Sequence, residues 1–261
     1  MLADPVRDRF YVVQQDRNQV LVFNGSTYTQ IATLRTGTTP TQMAMTFDRQ
    51  YLIVGHDNSQ FAYVYNLDTL QPDTPITFPG GHYPRQIAES GRSILSLVRD
   101  VTGDAPGTID RIDFASRRAT QLPSLGIYTN NVNPAGVLAA APNGGSILVA
   151  MPDGNVMLYD ANADTFTVSR KDFTALQGAY AASSYNTYVV GPYLLNSSLV
   201  TQATLETASG TPSGFTFIDQ SGFRTTAPAA TSPGVIQRVN PAVSLGIKPT
   251  RMVEAPLHRW T

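Results

Sequence analysis

The feature that most constrains the fold of this chain is a phrase of about 42 residues that recurs along it. Each copy opens with a proline, two variable residues and an apolar residue that starts a short apolar run. The copies that carry the proline begin at Pro40, Pro84, Pro134, Pro212 and Pro249, and a degenerate copy begins at Gly178. A repeat of this length indicates small units that bury their apolar faces by stacking on one another.

Within a copy, short apolar runs alternate with polar turns. In the clearest copy the runs cover residues 43–45, 51–54 and 62–65, and Asp, Asn and Ser fill the gaps between them. Such β-branched and aromatic runs predict strands, because they are too short for helices and lack a period of 3.6 residues. The third run of each copy ends at an Asn or Asp whose side chain is expected to bond the backbone two residues on. These residues are Asn24, Asn66, Asp113, Asp160 and Asn196.

Each unit is therefore predicted to be a four-stranded antiparallel meander, which is too small to be stable alone. Stacking such units in a ring leaves only short, protected edges. The sequence predicts an all-β fold, a β-propeller that residues 1–261 form as a single domain. We expect six blades, with a strand near residues 249–257 completing the blade that the N-terminus begins. The alternative is a seventh, incomplete blade.

Composition narrows the function classes. Charged residues make up 14% of the chain, and the formal net charge of −1 gives no electrostatic reason to expect a nucleic-acid partner. There is no cysteine, which excludes disulfides, cysteine-ligated zinc and a thiol nucleophile. No apolar run is long enough to predict a membrane span. The first ten residues carry charges where a signal peptide needs its apolar region, so no signal peptide is visible.

Residues 40–68 resemble the YVTN and NHL-type bacterial β-propeller repeat. The family phrase is Pro-Thr-x-x-Ala, a turn with Asp, a Tyr-Val strand and a strand ending in Asp. The matching residues are Pro40, Thr41, Ala44, Asp48, Tyr51, Val54, Tyr65 and Asn66. The usual Ser-Pro-Asp-Gly turn is replaced by residues 46–49, Thr-Phe-Asp-Arg. The resemblance spans most of the chain, weakly over residues 222–247. It implies a secreted or cell-surface propeller, often part of a larger protein, and no single activity.

In such propellers, the loops between blades and those between second and third strands surround the mouth of the central channel. We expect a ligand site there, and the predicted binding residues are His56, His82, Tyr83, Arg85, Asn131, Asn133 and Arg251. Imidazole, guanidinium and amide groups suit a sugar or a carboxylate. The alternative is that these loops are polar because they face water and form turns. No catalytic or metal-ligating residue is assigned, because the sequence has no nucleophile elbow, zincin motif or Walker loop.

Three functions remain open at this point. The leading hypothesis is a non-enzymatic binding scaffold, exported or at the cell surface, with a protein or a carbohydrate as its ligand and no cofactor. The second is a lactonase-like hydrolase or lyase at the channel mouth, which could use calcium. The third is a structural role in which a free blade edge pairs with another chain.

Overall fold

The computed structural model describes residues 1–102, 106–126, 128–174, 178–205, 212–227, 234–239 and 249–254. Of residues 235 and 249–254 only the backbone is described. The regular elements in these ranges are strands, apart from a short 3-10 turn at Gln15–Arg17. The prediction of an all-β fold is therefore confirmed. No helix within these ranges has the length and apolar character that crossing a bilayer requires.

The chain divides into two compact units, Met1–Leu138 and Ala139–Thr261. Unit 1 opens with an antiparallel meander of β1 (Leu2–Asp4), β2 (Arg9–Gln14), β3 (Gln19–Asn24) and β4 (Gln30–Arg35). An eight-stranded sheet follows, made of β5 (Pro40–Met45), β6 (Tyr51–His56), β7 (Phe61–Asn66), β8 (Pro72–Thr77), β9 (His82–Glu89), β10 (Ile94–Asp100), β11 (Thr108–Asp113) and β12 (Arg118–Gln121). A small hairpin pairs β13 (Ser124–Leu125) with β14 (Tyr128–Thr129).

The eight-stranded sheet consists of two four-stranded meanders, β5–β8 and β9–β12, joined at their last strands. The joint is a parallel pairing of β8 with β12 at Thr77 and Arg118. The Thr77 amide donates to the Arg117 carbonyl at 2.9 Å. The four-stranded antiparallel units are thus as predicted, but these two are not separate sheets. The number of blades, six or an incomplete seven, stays a prediction.

Three further four-stranded antiparallel sheets follow, of which the first begins at Val137 and Leu138 of unit 1 and continues in unit 2. Their strands are β15 (Val137–Ala140), β16 (Ser146–Ala150), β17 (Val156–Asp160) and β18 (Thr165–Arg170); β19 (Tyr180–Ala182), β20 (Tyr188–Val190), β21 (Tyr193–Leu195) and β22 (Thr201–Thr204); and β23 (Pro212–Ile218), β24 (Ser221–Thr226), β25 (Val235–Val239) and β26 (Pro249–Glu254).

The last strand corrects one expectation. The phrase at Pro249 was predicted to begin the first strand of a unit, but β26 is the fourth strand of the last sheet. It pairs antiparallel with β25, with Met252 opposite Gln237, and so continues the meander of β23–β25. That residues 249–257 close a ring stays a prediction, and residues 255–257 lie outside the described part of the chain.

In unit 1, the central strands of the meander β5–β8 are buried on both faces. Leu52 and Val54 of β6 pack in one cluster with Tyr11 of the first sheet. Ile53, which points the other way, packs with Ile87 of β9. A strand covered on both sides reads as a continuous apolar run, and full burial of each such side chain contributes about 1.5–3 kcal/mol. This explains why the second strands are the most apolar segments of the repeat.

The predicted turns after the third strands are confirmed. The Asn24 Oδ1 atom accepts from the Ser26 amide at 3.1 Å and from the Thr27 amide at 2.8 Å. The same side-chain acceptor bonds the backbone two residues on at Asn66, Asp113, Asp160 and Asn196. Each bond replaces an amide–water contact in the turn that leads to the fourth strand.

Candidate functional site

A polar pocket of about 410 Å³ lies in unit 1. It is lined by Gln15, Thr41, Gln42, Asp57, Arg85 and Gln86. These residues stand in the first half of β5, in the middle of β9 and just after β2 and β6 end. We call this the pocket end of unit 1. The far end is the opposite one, where β5 and β9 end and where the turns at Asn24, Asn66 and Asp113 lie.

Two glutamine side chains in the pocket wall are held by backbone amides. In each case the amide belongs to the first strand of the meander that follows. The Gln42 Oε1 atom accepts from the Ile87 amide at 2.6 Å, and the Gln86 Oε1 atom accepts from the Leu138 amide at 2.9 Å. Because an N–H group needs an acceptor, these bonds decide which end of each side-chain amide is oxygen. Neither Nε2 group donates to another described residue. Both NH₂ groups are thus available as donors to a ligand.

The Asp57 carboxylate lies between the Arg85 guanidinium, which lines the pocket, and the Arg99 guanidinium, which is not among the lining residues. The Asp57 Oδ1 atom lies 3.6 Å from Arg85 Nε and 3.5 Å from Arg99 Nε. Arg99 is held in place by a 2.6 Å bond from Nη2 to the Asp57 carbonyl. The Arg85 side chain is 35% exposed, so a ligand in the pocket can reach it. Two cations and one anion leave the group with a charge of +1.

Two further bonds stiffen the wall. The Thr41 hydroxyl donates to the Arg85 carbonyl at 2.5 Å, which links the start of β5 to the middle of β9. The Gln15 Nε2 atom donates to the Pro40 carbonyl at 3.2 Å and ties the end of the first sheet to β5. The lining side chains are therefore anchored to backbone, which reduces the entropy that ligand binding would cost.

One of the predicted binding residues, Arg85, lines the pocket. Two others, His82 and Tyr83, are the first residues of the same strand, β9. His82 Nδ1 lies 2.8 Å from Asp110 Oδ2. Asp110 is fully buried, and its other oxygen accepts from the Thr108 hydroxyl at 2.8 Å. The His82 side chain keeps 15% of its surface exposed. Tyr83 carries the Arg99 guanidinium over its ring, at 5.6 Å from the centroid.

His56 does not line the pocket, because it is fully buried at the end of β6. Its Nδ1 atom is 3.0 Å from the Phe61 carbonyl, and its ring meets Tyr63 edge-on at 5.1 Å. Burial lowers the pKa of His56 to about 4, so the imidazole is neutral at pH 7. A neutral imidazole can bond a carbonyl only by donating, so Nδ1 carries the proton. His56 therefore stabilises the hairpin of β6 and β7 through its contact with Tyr63 and its bond to the Phe61 carbonyl.

The remaining predicted residues lie elsewhere. Asn131 is exposed, and its amide donates to the Thr129 carbonyl at 2.9 Å. Asn133 turns the chain, since its Oδ1 atom accepts from the Ala135 amide at 2.9 Å. Arg251 lies in β26, and its side chain is outside the described part of the chain. Neither Asn131 nor Asn133 lines the pocket of unit 1.

Sequence reasoning missed the two glutamines. The available signal was the third position of the repeated phrase, which is glutamine in the copies at Pro40 and Pro84 but glycine in those at Pro134 and Pro212. Within the described residues, no group of three or more His, Asp or Glu side chains could hold a metal ion.

Comparison with known proteins supports the fold. No family model matches the chain, and no curated protein matches it. A chain from a crystal structure of the mitotic checkpoint complex resembles it with a TM-score of 0.69 and 15% sequence identity, over 92% of this chain and 72% of that one. At this identity the likeness shows the fold alone, which is that of a β-propeller. In total 1349 chains of solved structures match, so the fold is common and points to no single activity.

Proposed function

We propose that this chain is a binding propeller, a scaffold that holds a ligand in the pocket of unit 1 without transforming it. The observation that carries the proposal is the pair of side-chain amides, Gln42 and Gln86, whose oxygens are occupied by backbone amides while their NH₂ groups remain unengaged by the described residues. Donors fixed in advance beside a guanidinium are what a polar ligand site needs.

The setting of this scaffold is also a proposal. The Pro-Thr-x-x-Ala phrase at residues 40–44 supports membership of the YVTN and NHL-type bacterial repeat proteins, and with it a place outside the cell or on its surface. The similar solved structure is titled a complex, which favours a protein over a carbohydrate as the partner. Residues 1–261 as one propeller domain remain part of this proposal.

The test is a thermal-shift screen with peptides, sugars and lactones, run with calcium and with EDTA. A ligand at about a hundred times its dissociation constant stabilises the folded state by about 2.7 kcal/mol. We expect at least one compound to raise the melting temperature of the wild type but not of Arg85→Gln. Arg118→Gln is the matched control, since it removes the same charge from an exposed position in β12.

The ligand is then recovered and weighed by mass spectrometry. An unchanged ligand agrees with the scaffold, and a converted one contradicts it. Binding that survives in Arg85→Gln would move the site away from this pocket.

A second function, hydrolysis or lyase chemistry, is favoured by His82. A buried carboxylate that orients Nδ1 of a partly exposed imidazole is the arrangement used to hold a general base in the correct tautomer. Calcium dependence belongs to this alternative. Turnover of a lactone that is lost in His82→Asn and retained in Arg118→Gln would establish it in place of the scaffold.

A further inference from the structure

We infer that the pocket of unit 1 recognises one carboxylate group, carried by an acidic side chain of a peptide. This inference rests on the proposed binding function and adds the chemistry of the ligand. It uses the Arg85 guanidinium and the NH₂ groups of Gln42 and Gln86, all three of which line the pocket.

The pocket has a surplus of hydrogen-bond donors. Arg85 uses its Nη1 atom in a 3.4 Å hydrogen bond to the Pro134 carbonyl, and its Nε atom lies 3.6 Å from Asp57 Oδ1, which makes an ion pair but no hydrogen bond. Its Nη2 atom has no hydrogen-bond partner among the described residues. Together with the two amide NH₂ groups, it forms a set of donors that a ligand with several acceptor lone pairs would satisfy. A carboxylate has two oxygens and accepts only.

The net charge of the residues around the pocket limits the charge of the ligand. Arg85, Asp57 and Arg99 together carry +1, so one negative charge neutralises the group. A phosphate group carries about −1.5 to −2 at pH 7 and would place its excess charge beside Asp57. Like charges at such distances repel. The pocket therefore suits a monoanion better than a dianion.

The side chains that line the pocket favour an acidic peptide over an acidic sugar. The six side chains that line the pocket include no aromatic ring. Tyr83, the nearest aromatic residue in β9, has the Arg99 guanidinium over its face. Sugar sites commonly place a ring against an aromatic platform, which this wall lacks. A side-chain carboxylate on a flexible stem needs no such platform, and bonds to it are charge-assisted.

The experiment is an NMR titration of the ¹⁵N-labelled full chain. The probe is a capped nine-residue peptide of glycine and serine with one central glutamate, and its matched control has glutamine at that position. We expect the side-chain NH₂ signals of Gln42 and Gln86 to shift with the glutamate peptide. The glutamine peptide should bind about 10- to 100-fold more weakly, the size expected for a hydrogen bond to a charged group.

Gln42→Glu separates ligand recognition from folding. The glutamate keeps an oxygen for the Ile87 amide but replaces the NH₂ donor by a second, negative acceptor. We expect its melting temperature to stay near that of the wild type and its affinity for the glutamate peptide to fall by 10-fold or more. Arg85→Gln should weaken binding to a similar degree, while Arg118→Gln should bind as the wild type does.

The arms of the titration distinguish the outcomes. A phosphoserine peptide that binds more tightly than the glutamate peptide would overturn the choice of a monoanion, and glucuronate binding more tightly would overturn the choice of a peptide. If no acidic probe binds, or if the glutamine peptide binds equally well, the inference is wrong. The proposed function survives that result only if the thermal-shift screen gives another ligand that depends on Arg85.

Discussion

The two ends of unit 1 hold their polar side chains in different ways. At the far end, Asn24 and Asn66 bond amides two or three residues on. At the pocket end, Gln42 and Gln86 bond amides 45 and 52 residues away. These turns are therefore formed within each repeat, whereas the two glutamine bonds exist only once neighbouring meanders have packed. Side chains at the two ends should contribute differently to stability.

The largest difference is expected between two aspartates of β11. Asp110→Ala removes a fully buried carboxylate and leaves His82 Nδ1 and the Thr108 hydroxyl without their acceptor. Each hydrogen bond to a charged group contributes about 1.5–3 kcal/mol, so the loss of both bonds should cost about 3–5 kcal/mol, which corresponds to a fall in melting temperature of about 10 °C. Asp113→Ala, in the exposed turn at the far end, should cost less than about 1 kcal/mol. Circular dichroism melts check this, and equal falls would remove the distinction between the ends.

Gln42→Ala should have the next largest effect. Ile87 is fully buried, and its amide would lose its side-chain acceptor. An unsatisfied buried donor costs about 1–3 kcal/mol. We expect faster hydrogen exchange at the Ile87 amide, and slow exchange again in Gln42→Glu. Unchanged exchange in the alanine variant would show that the strand pairing alone protects this amide.

The two ends should also respond to pH with opposite sign. At the far end, burial raises the pKa of Glu89 from 4.5 to about 7, with Asp48 adding to the effect. Stability from protonated Glu89 is fully present below pH 4.5 and is lost as the pH rises through 7. At the pocket end, burial lowers the pKa of His56 from 6.5 to about 4. Stability from neutral His56 is present above pH 6.5 and is lost as the pH falls through 4.

Glu89→Gln isolates the far-end contribution. The amide keeps an oxygen for the Phe47 amide and cannot ionise. We expect the variant to be more stable than the wild type by about 2 kcal/mol at pH 8, a value reduced for partial exposure, and equally stable near pH 4.5. Urea unfolding at several pH values measures this. A constant difference between the two proteins across that range would rule out titration of Glu89 as the cause.

The smallest effect belongs to a single turn. Asn66→Ala removes the acceptor of the Asp68 and Thr69 amides, and because both are exposed they can bond water instead. We expect a loss of about 0.5–1 kcal/mol. Asn66→Asp keeps the acceptor and should be close to the wild type, so an equal loss in both variants would show that the turn does not depend on this oxygen.

The difference between the ends also explains how much the sequence predicted. The turns at the far end depend on residues next to one another, so the position of Asn66 after its strand was sufficient. Arg85 was predicted to be a binding residue from its place beside the anchor proline. Gln42 was missed because its partner lies in the next repeat. His56 was predicted to lie at the site because the sequence does not show that β6 is covered on both faces. The predicted closure of the ring by residues 249–257 would depend in the same way on a distant partner.

The joint between β8 and β12 also bears on association between copies of the chain. The fourth strand of a meander has one outer edge, and an outer edge with unpaired amides is a template for aggregation. In β8, Pro72 and Pro75 have no amide hydrogen, and the Thr77 amide is bonded to the Arg117 carbonyl. Arg117 also reaches across to Asp73 at 2.9 Å and places a charge over this edge. β8 is therefore a poor starting point for fibril growth, although it is the last strand of its meander.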